Sequence, residues 1–441
     1  MKPQIPILLV SLAMLAATCA PCFAAKSEAN APTAKTTTKK GGEGKMERQI
    51  SVAQPIAQQG CISFRMKPDK TYHNGEGQES LTVPVLTVPG LAQCQFKQAD
   101  NECQFIWKFS ESDKAAGLVA HLPELPGPEP YWVQFTWDTK AGKSDGYVNG
   151  TPLRVPNTKL PPWTVKEANE IQIMQGAFEV ADVSFEPRYV GMDEARKSVP
   201  PDLLGRRGEL FGAPQTCKPM DIEKRRGALL YEASFGDKDA VKDWTLEGPG
   251  ILDFKDGWLN MSSSRPDGPE GHCVYWCPRD FPDRFVAEWE VQPTSEAGLC
   301  IVFFAARGAK GEDIFDPSLP KRNGVFTLYT KGAINSYHIS YYANTPDALG
   351  RITANLRKNN KFYLVAVGPP GIAPGSKDVH KIRLVKDGAH IQALVDGGVV
   401  IDSTDDGKRY GPVYKDGKIG LRQMQWMTAR YRSFRVWALN E

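Results

Sequence analysis

Two stretches of the chain carry the same alternation of apolar and polar residues. In the first half, residues 131–138 alternate, and a second alternating run ends at Asn149-Gly150. In the second half, residues 380–387 alternate, and the run that follows them ends at Asp396-Gly397. A period of two is typical of strands with one buried face, and Asn-Gly or Asp-Gly accepts the positive φ angles of a tight hairpin turn. The pattern therefore predicts an antiparallel meander in each half.

The correspondence continues beyond these hairpins. Residues 170–174 lead to a strand over 181–187, and residues 418–424 lead to a strand over 429–436. In the second half, Asp-Gly pairs begin at 387, 396, 406 and 416, which is the strand spacing of an antiparallel sandwich. The sequence predicts an all-β protein with two related β-sandwich domains. Their expected bounds are 49–190 and 228–441, with a solvated linker over 191–227.

Composition supports this fold and excludes others. The 441 residues include 40 Gly and 34 Pro, and 10% are aromatic, which favours short strands joined by tight turns over a helical bundle. The formal net charge of +3 is too small to draw the whole molecule onto nucleic acid, so no nucleic-acid partner is expected. A Gly-rich phosphate loop, a G-x-S-x-G nucleophile elbow and an H-E-x-x-H motif do not occur.

The N-terminus has the pattern of a secretory signal. Lys2 precedes an apolar run over 5–17, and small residues before Ala24 and Ala25 suit cleavage there. We therefore predict a signal peptide over 1–25, a flexible tether over 26–48, and a periplasmic or secreted mature protein. A later stretch long and apolar enough for a membrane helix does not occur, so no membrane span is expected.

Cysteine usage gives little chemistry. Of the nine cysteines, seven follow the predicted leader, so at least one has no disulfide partner; Cys94 and Cys103 could close a hairpin. Cys273 and Cys277 lie on one face of a strand, too far apart to bond, and a zinc site is disfavoured because no second ligand pair follows. No metal or cofactor is predicted. The alternative is a structural calcium ion, for which the candidates would be Asp402, Asp405 and Asp406.

The strand–Asp-Gly–strand ending resembles that of concanavalin-A-like (laminin-G-like) jelly rolls, which the first domain matches in this general way. The second domain resembles the YesU-like family (domain of unknown function 1961) over most of its length. The motifs that carry this resemblance are residues 276–278, 298–306, 311–322, 355–358 and 418–424. It implies two concanavalin-A-like jelly-roll sandwiches in tandem. The family's members resemble proteins of bacterial pectin utilisation, which implies a plant or algal glycan.

In such sandwiches one concave sheet forms a saccharide groove, and residues 338–342 read as one of its strands. A period of two places His338 and Tyr342 on one face, where they could accept and donate a proton. Downstream, Arg351 and Arg357 could neutralise a uronate carboxylate, as β-elimination requires. These four are the predicted catalytic residues. The alternative is that His338 and Tyr342 form a satisfied polar pair on a sheet face. The predicted substrate-binding residues are Trp276, Glu312, Asp313, Asn355 and Lys358.

A hydrolase is the second possibility. Glu312 and Asp313 could serve as its acid and base, or could simply cap an ordered loop and pair with neighbouring cations. Trp276 could be a sugar platform, although tryptophans of this kind are more often core. Glu288 and Glu290 share one strand face, but the longer E-x-D-x-E pattern of retaining glycosidases is absent.

These observations predict an exported protein that binds an acidic polysaccharide or oligosaccharide. Processing of that glycan by β-elimination or hydrolysis is a further possibility. The alternative is a non-catalytic lectin-like or surface-attachment module. A single structural feature separates the two: the His338 face would lie in an open groove in the enzyme and under a packed loop in the module.

Overall fold

The structure, a computed structural model, describes residues 45–110, 116–204, 208–212, 216–265, 268–346 and 348–441. The predicted signal peptide and residues 26–44 of the predicted tether lie outside these residues. The first strand begins at Met46, so the last three residues of the predicted tether are strand. Within the described residues, no helix has the length and apolar character needed to cross a membrane.

The first half of the chain forms two antiparallel sheets and a two-stranded ribbon. The six-stranded sheet has the order β1-β12-β4-β5-β6-β7, the five-stranded sheet has the order β11-β10-β9-β2-β13, and β3 pairs with β8. The strands are β1 (Met46–Ile56), β2 (Gln59–Pro68), β3 (Tyr72–His73), β4 (Leu81–Val88), β5 (Ala92–Gln98), β6 (Cys103–Phe109), β7 (Leu118–Leu122), β8 (Glu124–Leu125), β9 (Tyr131–Asp138), β10 (Lys143–Val148), β11 (Thr151–Pro152), β12 (Ala168–Met174) and β13 (Phe178–Glu186).

The second half forms two larger sheets. The eight-stranded sheet has the order β16-β17-β28-β19-β24-β25-β26, with β14 also paired to β28, and the seven-stranded sheet has the order β15-β18-β27-β20-β21-β22-β23. The strands are β14 (Arg226–Ala233), β15 (Thr245–Glu247), β16 (Gly250–Lys255), β17 (Trp258–Ser263), β18 (Cys273–Phe281), β19 (Arg284–Pro293), β20 (Gly298–Gly308), β21 (Ile334–Asn344), β22 (Ala354–Asn359), β23 (Tyr363–Gly368), β24 (His380–Asp387), β25 (His390–Val395), β26 (Gly398–Thr404), β27 (Gly417–Gln423) and β28 (Ala429–Leu439).

Helices are short and lie between strands. The α-helices are α1 (Met192–Lys197) and α2 (Thr327–Thr330), and 3-10 helices span Gly208–Phe211, Asp239–Val241 and Pro269–Gly271. The all-β jelly-roll prediction is therefore confirmed.

Alternation along the strands builds each core. In β6, Phe105 and Trp107 point inward, and the Trp107 ring stacks on Phe135 of β9 with centroids 4.5 Å apart. In the second half, Trp289 of β19 meets Tyr341 of β21 at 5.9 Å across the two sheets. Buried aromatic surface between facing sheets is the main stabilising contribution in such a sandwich.

The predicted hairpin turns are present in both halves. Asn149 and Gly150 have φ values of 47° and 75° between β10 and β11, and Asp396 and Gly397 have φ values of 51° and 84° between β25 and β26. Two successive positive φ angles are the signature of a type I′ turn. The prediction that Asn-Gly and Asp-Gly form tight hairpin turns at these positions is therefore confirmed.

The two pairs of sheets touch directly, and the described residues belong to one compact unit. The Leu364 N–H donates to the Asn101 carbonyl at 2.7 Å, and the fully buried Asn74 side chain donates to both the Asn101 and Leu364 carbonyls at 2.8 Å. The Val155 N–H donates to the Gly350 carbonyl at 2.8 Å. Backbone groups of one half thus find their hydrogen-bond partners in the other half.

The segment predicted as a solvated linker, 191–227, is packed where it is described. Ala195 of α1 and Leu203 are fully buried, and Ile222 is 1% exposed. Ile222 packs against Val286 and Val385, on the face of the eight-stranded sheet that points away from the seven-stranded sheet. The segment therefore covers part of this outward face, and the expectation of a solvated linker is wrong there. The proposed domain bounds themselves stay a prediction.

Candidate functional site

His338 and Tyr342 lie on opposite faces of β21. The register with β20 pairs Cys300 with Tyr342 and Ile301 with Ser340, so the intervening Tyr341 is an extra residue in a β-bulge. A bulge shifts every later side chain to the other face of the strand. Tyr342 consequently packs in the core between the sheets, where its hydroxyl donates to the Glu296 carbonyl at 2.6 Å. The expectation that the two side chains share one face is wrong.

His338 is enclosed. It is 3% exposed, its Nδ1 lies 3.0 Å from Asn359 Nδ2, and its ring contacts the rings of Phe303, Phe326 and Phe362. Burial, followed by the nearby guanidinium groups, holds the pKa of His338 well below its ordinary value. A neutral imidazole with packed walls corresponds to the satisfied polar residue that was the alternative interpretation.

Arg357, Arg351 and Asn355 lie on the same face as His338, and each is bonded within the protein. Arg357 pairs with Glu102, which comes from β5–β6 in the first half, and the Glu102 carboxylate also lies 3.2 Å from His121 Nδ1. Burial alone would raise the pKa of Glu102, but the Arg357 guanidinium and the hydrogen bond with His121 outweigh it and hold that pKa below its usual range.

Arg351 donates to Ser340 Oγ at 2.8 Å and to Thr353, and its Nη2 lies 3.1 Å from the Asn355 side-chain oxygen once that amide is oriented to satisfy its neighbours. Burial lowers the pKa of Arg351 to about 10. These predicted carboxylate ligands therefore bind the protein's own groups.

Lys358 points to the other side of β22. Its Nζ pairs with Asp405 Oδ2 at 2.7 Å and donates to the Gly411 carbonyl at 2.8 Å, and both charged side chains are fully buried. Tyr337 also donates to Asp405, at 2.5 Å. This lysine forms a buried ion pair in the core, where a substrate cannot reach it. The expectation that Lys358 is exposed to a substrate is therefore wrong.

Trp276 is also core. Its ring is fully buried and stacks on Phe303 and Tyr329, and its Nε1 donates to Glu247 at 2.9 Å. Arg322 holds the other oxygen of Glu247 at 2.7 Å. The tryptophan therefore anchors the 309–333 segment to the seven-stranded sheet, and it offers no open platform to a sugar.

Glu312 and Asp313 order the same segment. Glu312 accepts the Lys310 N–H at 2.8 Å, and Asp313 accepts the Phe315 N–H and pairs with Lys418, both at 2.8 Å. Burial opposes ionisation of Asp313, but the Lys418 ammonium and the Phe315 N–H outweigh it and lower the pKa of that carboxyl. The loop-capping alternative describes these contacts.

The face that was predicted to be an open groove is thus covered. The 309–333 segment packs over it through Ile314, Phe326 and Tyr329, and Glu102 of the first half closes on Arg357. This is the packed arrangement that distinguishes a non-catalytic use of this face from an enzyme's groove.

The three aspartates considered for calcium have separate partners. Asp402 pairs with His390 at 2.6 Å, Asp405 pairs with Lys358, and Asp406 caps the N–H groups of Lys408 and Arg409. Over the described ranges, no group of three or more His, Cys, Asp or Glu side chains is arranged to hold a metal ion.

The cysteines after residue 25 are all thiols in this structure. Cys94 faces Trp107, and Cys103 faces Gln98, so the hairpin disulfide considered for them is not formed.

An open cleft of about 460 Å³ lies on the outward face of the eight-stranded sheet. Four neighbouring strands line it: β28, β19, β24 and the end of β25. Inward residues of β19 such as Trp289 belong to the core, and the residues between them therefore point into the cleft. The charged lining side chains are Glu288, Glu290, Lys381, Arg383, Asp396 and Arg435.

A β-bulge shapes the floor of this cleft. β19 pairs Glu288 with Arg435 and Glu290 with Arg432, so Ser433 and Phe434 stand opposite Trp289 alone. Ser433 has a φ of 58°, in the left-handed region. Bulges of this kind bend a strand and redirect its side chains, and here the bend leaves room beside Glu288 and Glu290.

The charges of the cleft are fixed by one another. Glu288 Oε1 accepts from Arg383 Nε at 2.7 Å and from Arg226 Nη2 at 3.0 Å, and Glu290 pairs with Arg432. Lys381 differs from these residues, because its exposed ammonium has no ion-pair partner among the described residues.

Sequence reasoning found part of this site. The run Glu288-Trp289-Glu290 placed its two carboxylates on one strand face, as the structure does. It missed the cations around them, because those cations come from strands that are distant in the chain.

The described residues define an all-β protein of jelly-roll sandwiches. Comparison with known proteins assigns its second half to a family. Residues 228–436 match the family described as "Domain of unknown function (DUF1961)". The chain is 41% identical over 215 residues to the uncharacterized protein YesU of Bacillus subtilis, covering 48% of this chain and 96% of that protein. The chain therefore belongs to this family, as its motifs predicted.

Two solved structures were also found to be similar. A Bacillus subtilis protein of unknown function with a galectin-like fold is 38% identical, with a TM-score of 0.45, covering 49% of this chain and 99% of that one. The carbohydrate-binding module CBM66 from Bacillus subtilis is 13% identical, with a TM-score of 0.30, covering 44% of this chain and 95% of that one.

Proposed function

We propose that the protein binds a glycan in the cleft on the outward face of the eight-stranded sheet. The observation that carries the proposal is the lining itself, in which fixed carboxylates alternate with fixed guanidinium groups. Sugar hydroxyls both donate and accept hydrogen bonds, so they match such a surface. Because Arg226 and Arg383 already hold Glu288, little side-chain entropy is lost when a ligand binds.

An acidic glycan fits this cleft best. Lys381 is exposed at the cleft without an ion-pair partner among the described residues, so its ammonium is available to a uronate carboxylate. A single placed cation suits a chain whose formal net charge is only +3, since the field of the whole molecule adds little. The substrate class proposed is therefore a pectin-like plant or algal polysaccharide.

Binding is favoured over cleavage of the glycosidic bond. Hydrolysis by paired carboxyl groups needs one of them as a proton donor, and Glu288 and Glu290 each accept from a guanidinium group. β-Elimination was assigned to His338 and Tyr342, which are buried on opposite faces of β21. The lectin-like alternative thus has more support than the lyase or the glycoside hydrolase. With the predicted signal peptide, we place the protein outside the cytoplasm.

Replacing Lys381 by glutamine is expected to weaken binding of a tri-galacturonate about tenfold, because a charge-assisted hydrogen bond contributes roughly 1.5 kcal/mol. Affinity for a neutral trisaccharide that also binds should change little. Isothermal titration calorimetry at fixed ionic strength measures both constants.

The matched control is Lys255→Gln, which removes an exposed lysine of β16 outside the cleft. It should leave both affinities unchanged. Equal losses in the two lysine variants would refute the cleft as the binding site, and no heat with any acidic or neutral glycan would refute glycan binding.

A further inference from the structure

Three side chains have the geometry of a serine-hydrolase triad, and one of them, Asp396, also lines the cleft. Ser376 Oγ lies 2.8 Å from His380 Nε2, and His380 Nδ1 lies 2.7 Å from Asp396 Oδ2. The two ring nitrogens are used in the order that acyl-transfer chemistry requires, with the nucleophile on Nε2 and the carboxylate on Nδ1. Such a triad is recognised by its geometry and roles, and not by sequence position.

The carboxylate and the imidazole are held by the sheet. His380 is the first residue of β24, and Asp396 is in the type I′ turn after β25, the strand that pairs with β24. Asp396 Oδ1 accepts the Lys381 N–H at 2.8 Å, which leaves Oδ2 directed at the imidazole. The His380 side chain is only 13% exposed, so its ring orientation is fixed by these contacts.

The loop that carries the serine is pinned at several points. The Ser376 N–H donates to the Ala373 carbonyl at 3.0 Å, and the Ile372 N–H donates to the Tyr341 carbonyl at 2.7 Å. Lys377 Nζ donates to the Thr294 carbonyl at 3.1 Å. A β-bridge between Ile372 and the core residue Tyr342 of β21 holds the start of the same loop.

Backbone N–H groups lie close to the serine oxygen. The Asp378 N–H donates to Ser376 Oγ at 3.3 Å, and the N–H of Lys377, the residue next to the serine, has no acceptor among the described residues. The N–H that follows a nucleophilic serine is a recurrent donor to the oxyanion of acyl transfer.

We propose that Ser376 is the nucleophile of an esterase centre. Its oxygen attacks the carbonyl carbon of an ester while its proton passes to His380 Nε2. The tetrahedral intermediate then expels the alcohol, which takes that proton, and leaves an acyl-serine. Water attacks the acyl-serine with His380 again accepting a proton, so that a carboxylic acid is released and the serine is restored. Asp396 stabilises the transient imidazolium.

The substrate class rests on the proposed function. Asp396 also lines the glycan cleft, so the ester within reach of Ser376 is a small acyl group carried by a hydroxyl of the bound glycan. The alcohol released is then the de-esterified glycan itself, which remains in the cleft.

The first test uses a fluorophosphonate probe on the full chain, followed by peptide mass spectrometry. We expect stoichiometric labelling at Ser376, and no labelling of Ser376→Ala. The control Ser264→Ala removes an exposed serine whose hydroxyl donates to the Pro249 carbonyl and should label like the wild type. A wild-type chain that takes no label at Ser376 would overturn the proposal.

The second test measures hydrolysis of p-nitrophenyl acetate. Ser376→Ala and His380→Ala should each reduce the rate at least about a hundredfold, with thermal unfolding midpoints confirming that the variants fold. Activity that persists in both folded variants would contradict the triad. Retention on acetylated oligogalacturonate is measured separately. Labelling without retention would refute the glycan proposal alone, and retention without labelling would refute the esterase proposal alone.

Discussion

Replacing Asp405 by alanine is expected to lower the free energy of unfolding by about 3–5 kcal/mol, because it leaves the Lys358 ammonium buried without its counter-charge. Both side chains are fully buried, with Nζ and Oδ2 2.7 Å apart. Burial already lowers the pKa of Lys358, although its hydrogen bond to Asp405 opposes this. The substitution also removes the acceptor of the Tyr337 hydroxyl. Urea unfolding followed by tryptophan fluorescence gives the free energy.

A double variant separates the charge from the packing. Lys358→Met with Asp405→Asn removes both charges and keeps an oxygen for Tyr337, so it should recover to within about 2 kcal/mol of the wild type. Arg188→Ala breaks exposed ion pairs with Glu186 and Glu194, which water screens, and should lower the free energy of unfolding much less than Asp405→Ala does. A loss below 1 kcal/mol for Asp405→Ala would show that the buried pair does not stabilise the fold.

The same variants examine Lys358 as a substrate ligand. If Lys358 is a core residue, the folded double variant should bind acidic glycan with the wild-type affinity. A selective loss of affinity in that variant would restore the substrate-binding role that its position in the sequence first suggested.

The fold was predictable because its determinants are local. The alternation along 131–138 and 380–387 involves only consecutive residues, and so do the turns at Asn149-Gly150 and Asp396-Gly397. Matching patterns in the two halves then predicted two sandwiches of one type.

The site was harder because its determinants are not local. The period-two argument that joined His338 to Tyr342 assumes a regular strand, and one extra residue at Tyr341 reverses the facing of everything after it. Arg357 pairs with Glu102, which lies 255 positions away in the chain. This contact forms only when the two halves pack together, so the residues around Arg357 and around Glu102 do not predict it.

The triad and the cations of the cleft were hard to predict for the same reason, because both depend on which strands pair with each other. Ser376 and His380 are four residues apart, a spacing that turns also use, and only the pairing of β24 with β25 brings Asp396 to the imidazole. In the same way, the sequence predicts that Glu288 lies on a strand. It does not predict that Arg226 and Arg383 bind this carboxylate, because they come from other strands. The pattern within one strand predicts which of its faces is buried, but not which other strand will lie beside it.

Acidification from pH 7 to pH 4 is expected to cost about 3 kcal/mol of stability through His272 alone. Burial, together with the adjacent Arg422, lowers the pKa of this histidine to about 4, against an ordinary value of about 6.5 in the unfolded chain. The unfolded state therefore takes up a proton as the pH falls below about 6.5, while the native state takes it up only near pH 4. Stability is lost across that window and levels off below it.

The variant His272→Asn tests this directly, because Asn keeps an acceptor for the Arg422 Nη2 that lies 2.6 Å from His272 Nδ1, yet cannot be protonated. Its free energy of unfolding should fall by about 3 kcal/mol less than that of the wild type between pH 7 and pH 4, measured by urea titration at both values. His73→Asn, at a half-buried histidine of β3, is the matched control and should follow the wild type. Equal pH dependence in wild type and His272→Asn would mean that the buried imidazole is not what makes the native state sensitive to acid.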